Sequence, residues 1–254
     1  MKLTSRLLSL AELTLPRKLA AIALASGFVF GAFPLTVFAQ TYVPPQRGVP
    51  DRRVGGGTRG CWQNTLTTPS DETVTAIVPI ESFGYSLSTY PTIYVYVPTF
   101  FAERAHSAEF FLTDADENDL YQLSFTEPIP GGILKIDLAE MENLPPLEAE
   151  TSYRWSFVLT CDPGDRSADL YVGSWFQWIE PSAELANTLT TANPSQLASI
   201  YAQAGIWYDA LSNAVAFPTQ LQNLLNSVEL YTVPINTPVE LQPTPTTTSA
   251  ENHL

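Results

Sequence analysis

The amino-acid sequence predicts a mainly β fold: an antiparallel sandwich over residues 61–180, followed by an α-helical hairpin at 181–231. Three observations carry that prediction. Seven segments between Thr73 and Glu180 are rich in β-branched and aromatic residues, and several alternate apolar and polar side chains with the period of a half-buried strand. Clusters of Pro, Gly, Asp and Asn separate them, as tight turns require. Beyond residue 180 the apolar spacing changes to three and four, the period of a helix.

Residues 1–39 read as a secretory signal peptide. Lys2, Arg6, Arg17 and Lys18 precede an uncharged apolar run, Leu19–Phe33, and Val37-Phe38-Ala39 supplies small residues before Gln40. That is the order of a basic region, an apolar region and a cleavage site. The run is about fifteen residues, short of the roughly 20 that a spanning helix needs. Cleavage is therefore favoured over a retained anchor. No later segment is long and apolar enough to span a bilayer, so the expected location is the periplasm or the extracellular space.

Removing the leader sharpens the charge. The full chain of 254 residues has a net charge of −14. The leader carries four basic residues and one acid, so the mature chain stands at −17. Arg47, Arg52, Arg53 and Arg59 lie between Gln40 and Gly60, where Asp51 is the sole acid, leaving −20 for the remainder. This distribution argues against nucleic-acid binding, which needs clustered Lys and Arg. Only 15% of the residues are charged and 11% are aromatic, which argues against wholesale disorder.

Residues 40–60, rich in Pro, Gly and Arg, form an arm with no regular element expected. Its glycines do not make a phosphate loop, which needs Gly-Lys-Ser/Thr between a strand and a helix. Cys61 and Cys161 are the two cysteines. They are too few for a tetrahedral thiolate zinc site and suited to a disulfide in an oxidising compartment. Such a bridge would close a loop of about 100 residues, worth roughly 4.7 kcal/mol in the chain-entropy account. The alternative is two buried thiols.

The expected strands are Thr73–Pro79, Thr92–Val97, Ala108–Thr113, Leu120–Phe125, Ile133–Leu138, Thr151–Cys161 and Ala168–Glu180. In the sixth, Tyr153, Trp155, Phe157 and Leu159 share one face. Leu147 stands six residues before Tyr153, with Thr151 between them. This resembles the tyrosine corner of fibronectin type III and immunoglobulin-like sandwiches, in which the Tyr hydroxyl bonds the backbone upstream. The resemblance implies an immunoglobulin/fibronectin-III-like sandwich. The cysteines do not follow the antibody pattern, since Cys161 lies eight residues after the Tyr and Cys61 precedes the first clear strand. The bridge is therefore expected to tie the base of the arm to the end of a late strand.

In the helical region, Asn193-Pro194-Ser195-Gln196 offers an N-cap, a proline at the first helical position and a capping-box glutamine. Leu197, Ile200, Tyr201 and Ala204 follow at helical spacing, and Gly205 is a stop signal. Trp207, Leu211, Ala214 and Val215 make a second stripe, and Pro218 ends that helix or starts another with Leu221, Leu224, Leu225 and Val228. The run from Leu197 through Tyr201, Gly205 and Trp207 to Ala210 resembles one tetratricopeptide hairpin. A single such repeat cannot bury its apolar face alone, so it is expected to pack on the sandwich or on a partner. Residues 232–254, with four prolines and six threonines, read as a disordered tail.

Candidate chemistry is sparse. His106 and His253 are the two histidines, and no Gly-x-Ser-x-Gly elbow accompanies His106, so no catalytic residue is assigned. Carboxylate pairs could hydrolyse a glycoside, but with 26 acids in the chain no pair stands out. Tryptophans could stack on sugars or fill a core. Asp114, Asp116 and Asn118 match the first, third and fifth ligands of a Ca²⁺ loop. Asp119 and Phe125 stand where such a loop needs Gly and Glu, which leaves a looser hairpin-turn Ca²⁺ site or a plain solvated turn. Calcium is the one cofactor suggested. Arg52, Arg53 and Arg59 are expected to pair with carboxylates of the acidic body.

The segment Pro45–Cys61, PQRGVPDRRVGGGTRGC, resembles the N-terminal signature of a family known as domain of unknown function 928, typical of cyanobacteria. Pro91–Pro98, Tyr153–Ser156 through Cys161-Asp162, and Gly205–Leu211 (GIWYDAL) are similar to its later blocks. The resemblance spans about residues 44–215 and implies an exported protein with no catalytic residues to carry over. It also implies that the arm belongs to the domain. The resulting expectation is a binding or structural module of the cell envelope, with an envelope protein or polymer as partner. The rival expectation is an enzyme or carbohydrate binder acting on envelope polysaccharide through a carboxylate pair.

Overall fold

Nine short strands, five short α-helices and two single-turn 3₁₀ helices account for the regular structure of the described residues. The computed structural model describes residues 41–46, 51, 53–54, 61, 73–126, 128–235 and 237–241. These belong to one unit, Phe38–Leu254. The expected leader, Arg52, Arg59, Trp62 and residues 242–254 lie outside the described residues.

The elements in order are β1 (Thr75–Ala76), β2 (Phe83–Ser86), β3 (Thr92–Val97), α1 (Thr99–Ala102), β4 (Ser107–Thr113), β5 (Asp119–Thr126), β6 (Gly132–Asp137), β7 (Ser152–Thr160), β8 (Leu170–Trp178), α2 (Ala183–Thr191), α3 (Pro194–Gln203), α4 (Trp207–Ala214), α5 (Pro218–Ser227) and β9 (Val239–Glu240). They form two open sheets, ordered β1-β3-β6-β9 and β2-β8-β7-β4-β5.

The alternation in the sequence becomes the pleat of the larger sheet. Phe110 pairs with Phe157 and Phe157 with Val172 across β4, β7 and β8. All three side chains are buried, while Glu109, Phe111, Ser156, Val158 and Tyr171 beside them are half-exposed. β3 is buried on both faces from Ile93 onward, as a continuous apolar run suggests. Both sheets contribute to one apolar core, in which Ile93, Val95, Phe110, Trp155, Phe157 and Phe176 are all fully enclosed.

Two pairings depart from an all-antiparallel arrangement. β2 runs parallel to β8, with Phe83 opposite Trp175. β9 runs parallel to β6, with Val239 opposite Leu134. The second pairing corrects the expectation of a disordered tail over its first part. Val233 and Leu241 are buried, and the Leu241 amide donates to the Lys135 carbonyl at 3.1 Å. Two apolar anchors and an open edge of β6 outweigh the Pro/Thr composition there.

The helical region also differs from a hairpin. It holds four helices, and α4 belongs to the core rather than lying on it. Trp207 is fully buried and its indole N–H donates to the Ile77 carbonyl at 3.0 Å, while the Trp155 indole donates to the Tyr208 hydroxyl at 2.9 Å. A Cβ on Gly84 would lie 2.7 Å from the Trp207 Cβ, so the absence of a side chain there is what lets α4 settle on β2. The expected caps are in place. Pro194 and Pro218 open α3 and α5, the Asn193 amide donates to Gln196 Oε1 at 3.0 Å, and Gly205 follows α3 with φ of 75°. That left-handed conformation favours glycine. α2, not foreseen as a separate helix, buries no residue and is capped by the Ser182 hydroxyl.

Candidate functional site

The seam where α4 meets β2 and β3 contains a half-buried carboxylate. Gly205 ends α3 and the chain re-enters a helix at Trp207, which places Asp209 in the first turn of α4. An acidic residue there is favoured by the helix dipole. Its side chain points at the end of β2. Asp209 Oδ2 accepts from the Ser86 hydroxyl and from the Leu87 amide, both at 2.9 Å. The Ser88 amide in turn donates to the Ser86 hydroxyl at 3.0 Å, and the Asn213 side chain donates to the Asp209 carbonyl at 2.8 Å.

Burial pushes the Asp209 carboxyl above its ordinary value, and the donors from Leu87 and Ser86 only partly offset that. A small depression of about 140 Å³ opens beside it, lined among others by Ser88, Tyr90, Thr92, Ser212 and Asn213. Beside it, the buried Tyr208 hydroxyl accepts a hydrogen bond from the Trp155 indole N–H and donates to the Trp175 carbonyl at 3.2 Å. Burial raises the Tyr208 phenol far above its ordinary value, so it stays protonated and serves as a fixed bridge. A carboxylate in a cleft with a raised pKa is the physical signature of a candidate site.

A second depression, of about 260 Å³, lies between the β4–β5 turn and the segment before β7. Its floor holds the tyrosine corner: the Glu148 amide donates to the Tyr153 hydroxyl at 2.7 Å. Asp114, on its rim, accepts from the amides of Asp116 and Asn118, each at 2.9 Å, and from the Asn118 side chain at 2.8 Å. Those bonds hold the Asp114 carboxyl below its ordinary value. The three residues proposed as calcium ligands are thus together, but Asp114 and Asn118 are bonded to each other as a turn. Among the described residues no group of three His, Cys, Asp or Glu could hold a metal ion.

The arm is joined to the body at several points. Tyr42 is buried, edge-on to Trp207 at 5.0 Å between centroids, and the Val43 amide donates to the Ala202 carbonyl at 3.0 Å. Cys61 and Cys161 form a disulfide with a Cα–Cα distance of 5.2 Å, at the end of β7 as expected. For Arg53 the described bond goes to the Val228 carbonyl, at 2.6 Å, at the C-terminal end of α5. Burial lowers its pKa, against the opposing influence of Glu229 and Glu81.

The ion pair that sequence reasoning missed has the opposite polarity. Asp51 of the arm accepts from Arg154 of β7, Nε to Oδ2 at 2.9 Å and Nη2 to Oδ1 at 3.4 Å. The Tyr171 hydroxyl donates to Asp51 Oδ1 at 3.0 Å and also meets the Arg154 guanidinium. The hydrogen bond to Asp51 holds the Arg154 pKa above its ordinary value. That Asp51 is the sole acid of the arm was a signal in the sequence. For Asp209 the only signal was its place in the GIWYDAL block. His106 sits before β4, its amide donating to the Thr160 carbonyl at 2.7 Å.

Comparison with curated proteins finds no match. Residues 54–236 match the family described as Domain of Unknown Function (DUF928). That span takes in all of the secondary structure from β1 to α5, the tyrosine corner and the Asp209 cleft. The chain therefore belongs to the DUF928 family.

Proposed function

We propose that the protein is an exported, non-catalytic binding or structural module of the cell envelope, built on an immunoglobulin/fibronectin-III-like sandwich. The strand orders support the sandwich reading. An immunoglobulin-type domain sets B beside E in one sheet and G, F, C and C′ in the other. β3-β6 and β8-β7-β4-β5 follow those orders, and Tyr153 bonds upstream backbone from the start of the F-like strand. The leader pattern and the disulfide support export, since oxidising compartments preserve such bridges. Among the described residues no helix is long and apolar enough to cross a membrane.

One observation carries the choice of binding over turnover: the two tryptophans packed with α4 are core anchors and not platforms for a sugar. Trp155 and Trp207 are fully buried, with their indole N–H groups bonded to Tyr208 and Ile77. Asp209, the carboxylate in the cleft, has one oxygen fixed by two donors. The test is incubation of the exported protein with purified envelope polysaccharide, reading both co-sedimentation and new reducing ends. Retention without new ends is expected. Release of reducing ends that disappears in Asp209→Asn would overturn the reading.

A further inference from the structure

The Asp209 cleft carries an asymmetry that the fold does not use. Both donors to the carboxylate fall on Oδ2, and among the described residues no Lys, Arg or His pairs with it. Removing a carboxylate from water without a cation is costly. That cost persists in the free protein, because burial raises the Asp209 pKa despite the two bonds. A ligand carrying positive charge would recover it.

The surroundings narrow the ligand. Ser88, Thr92 and Ser212 line the depression with hydroxyls, Asn213 with an amide and Tyr90 with a ring. A divalent ion asks for six or more oxygens and usually several carboxylates, and here there is one. An ammonium group offers three donors, which match one carboxylate oxygen and neighbouring hydroxyls, and an aromatic wall favours it further. The volume of about 140 Å³ suits a headgroup and falls below the range of drug-sized ligand sites. The −20 charge from Cys61 onward draws basic partners toward this surface.

We infer that the cleft between the β2–β3 turn and α4 is a binding site for a primary ammonium group, presented by a lysine side chain of a basic protein partner and held by Asp209. The inference rests on the binding-module reading and names the chemistry of its ligand. Asp209 forms the ion pair, Tyr90 flanks the methylene stem, and Ser86 and Leu87 keep the carboxylate aimed.

The experiment is an amide-resolved NMR titration of the mature protein with n-butylammonium chloride at constant ionic strength, with 1-butanol and glucosamine as comparison probes. Saturable shifts confined to Ser86–Thr92 and Asp209–Asn213 are expected with butylammonium, absent with butanol and weaker with glucosamine. Asp209→Asn, which keeps both accepted bonds, should weaken binding about tenfold or more. Glu184→Gln, an exposed charge on α2, should leave it unchanged. Equal weakening in both variants, or shifts spread over the whole surface, would reduce the effect to general charge and overturn the site. Glucosamine binding without butylammonium binding would overturn the lysine ligand. A melting point of Asp209→Asn no lower than that of wild type keeps a folding defect from imitating a lost site. None of these outcomes touches the polysaccharide turnover test, so the two readings fail separately.

Discussion

Asp51 and Arg154 are 103 residues apart in sequence and form a two-bond ion pair on the outer face of the larger sheet. The Asp51 side chain is 1% exposed and that of Arg154 31%. The arm thus gives the body its one acid, and the body answers with one of its four basic residues. Gly173 makes room for this arrangement: a Cβ there would lie 2.9 Å from the Tyr171 hydroxyl and 3.3 Å from Asp51 Oδ1.

Arg154→Ala should therefore destabilise by on the order of 2 kcal/mol, because it leaves the enclosed Asp51 carboxylate without its charged donor. Arg154→Lys should recover little, since a point charge cannot reproduce the forked geometry. Urea unfolding monitored by tryptophan fluorescence measures both. A lysine variant as stable as wild type would contradict the pairing.

Gly84→Ala tests whether α4 belongs to the core. The added carbon would fall 2.7 Å from the Trp207 Cβ and 3.1 Å from the Tyr208 ring, too close without movement of the helix. Overpacking of this kind costs roughly 1–3 kcal/mol. An alanine variant that melts with wild type would mean that α4 is docked loosely on the sheets.

Asp209 should impose a slope on stability against pH. Its folded-state pKa is raised, chiefly by burial, so the native state holds the proton more tightly than the unfolded chain. The stabilisation from the protonated form is complete below the ordinary aspartate value of about 4 and is lost as pH rises through the folded-state value. Asp209→Asn removes that loss while keeping an acceptor for Ser86 and Leu87. Its stability relative to wild type should improve as pH rises from about 4 through the raised folded-state value. A variant that worsens over that range would contradict the account.

The β9 strap carries a second pH dependence. Lys135 bridges Asp137 at 3.0 Å and Glu240 at 3.7 Å. The neighbouring Glu240 carboxylate raises the Glu140 pKa, and Tyr94 lies in the same field. Protonation of Glu140 relieves its repulsion with the neighbouring carboxylate, so the contact strengthens below the ordinary glutamate range and weakens as pH rises through the raised value. Hydrogen-exchange protection of the Leu241 amide, corrected for intrinsic rate, should fall as pH rises past that value. Glu140→Gln should flatten the fall, and an unchanged profile would contradict it.

The expected strands match the structure where the side chains alternate against a common core. Tyr153, Trp155, Phe157 and Leu159 mark one face of β7, and β3 matches residue for residue. β2 was invisible because Phe83–Ser86 is four residues long, contains Gly84 and pairs in parallel with a strand far along the chain. β9 was masked by Pro and Thr, its pairing depending on an edge that exists only after folding. The stripe of α4 was readable, but not its place between two sheets, which depends on Gly84. The site was the least legible part. Asp51 and Asp209 are two acids among 26, and what distinguishes them is enclosure, which local sequence does not record.

The central claim is an exported module closed by a disulfide, and the intact mass of the protein recovered from cells producing the full chain tests it most directly. The account predicts a mass for a chain beginning at Gln40 and lighter by two hydrogens, recovered outside the cytoplasm, with the Cys61–Cys161 bond intact. A full-length chain with two free thiols in the cytoplasmic fraction would contradict it.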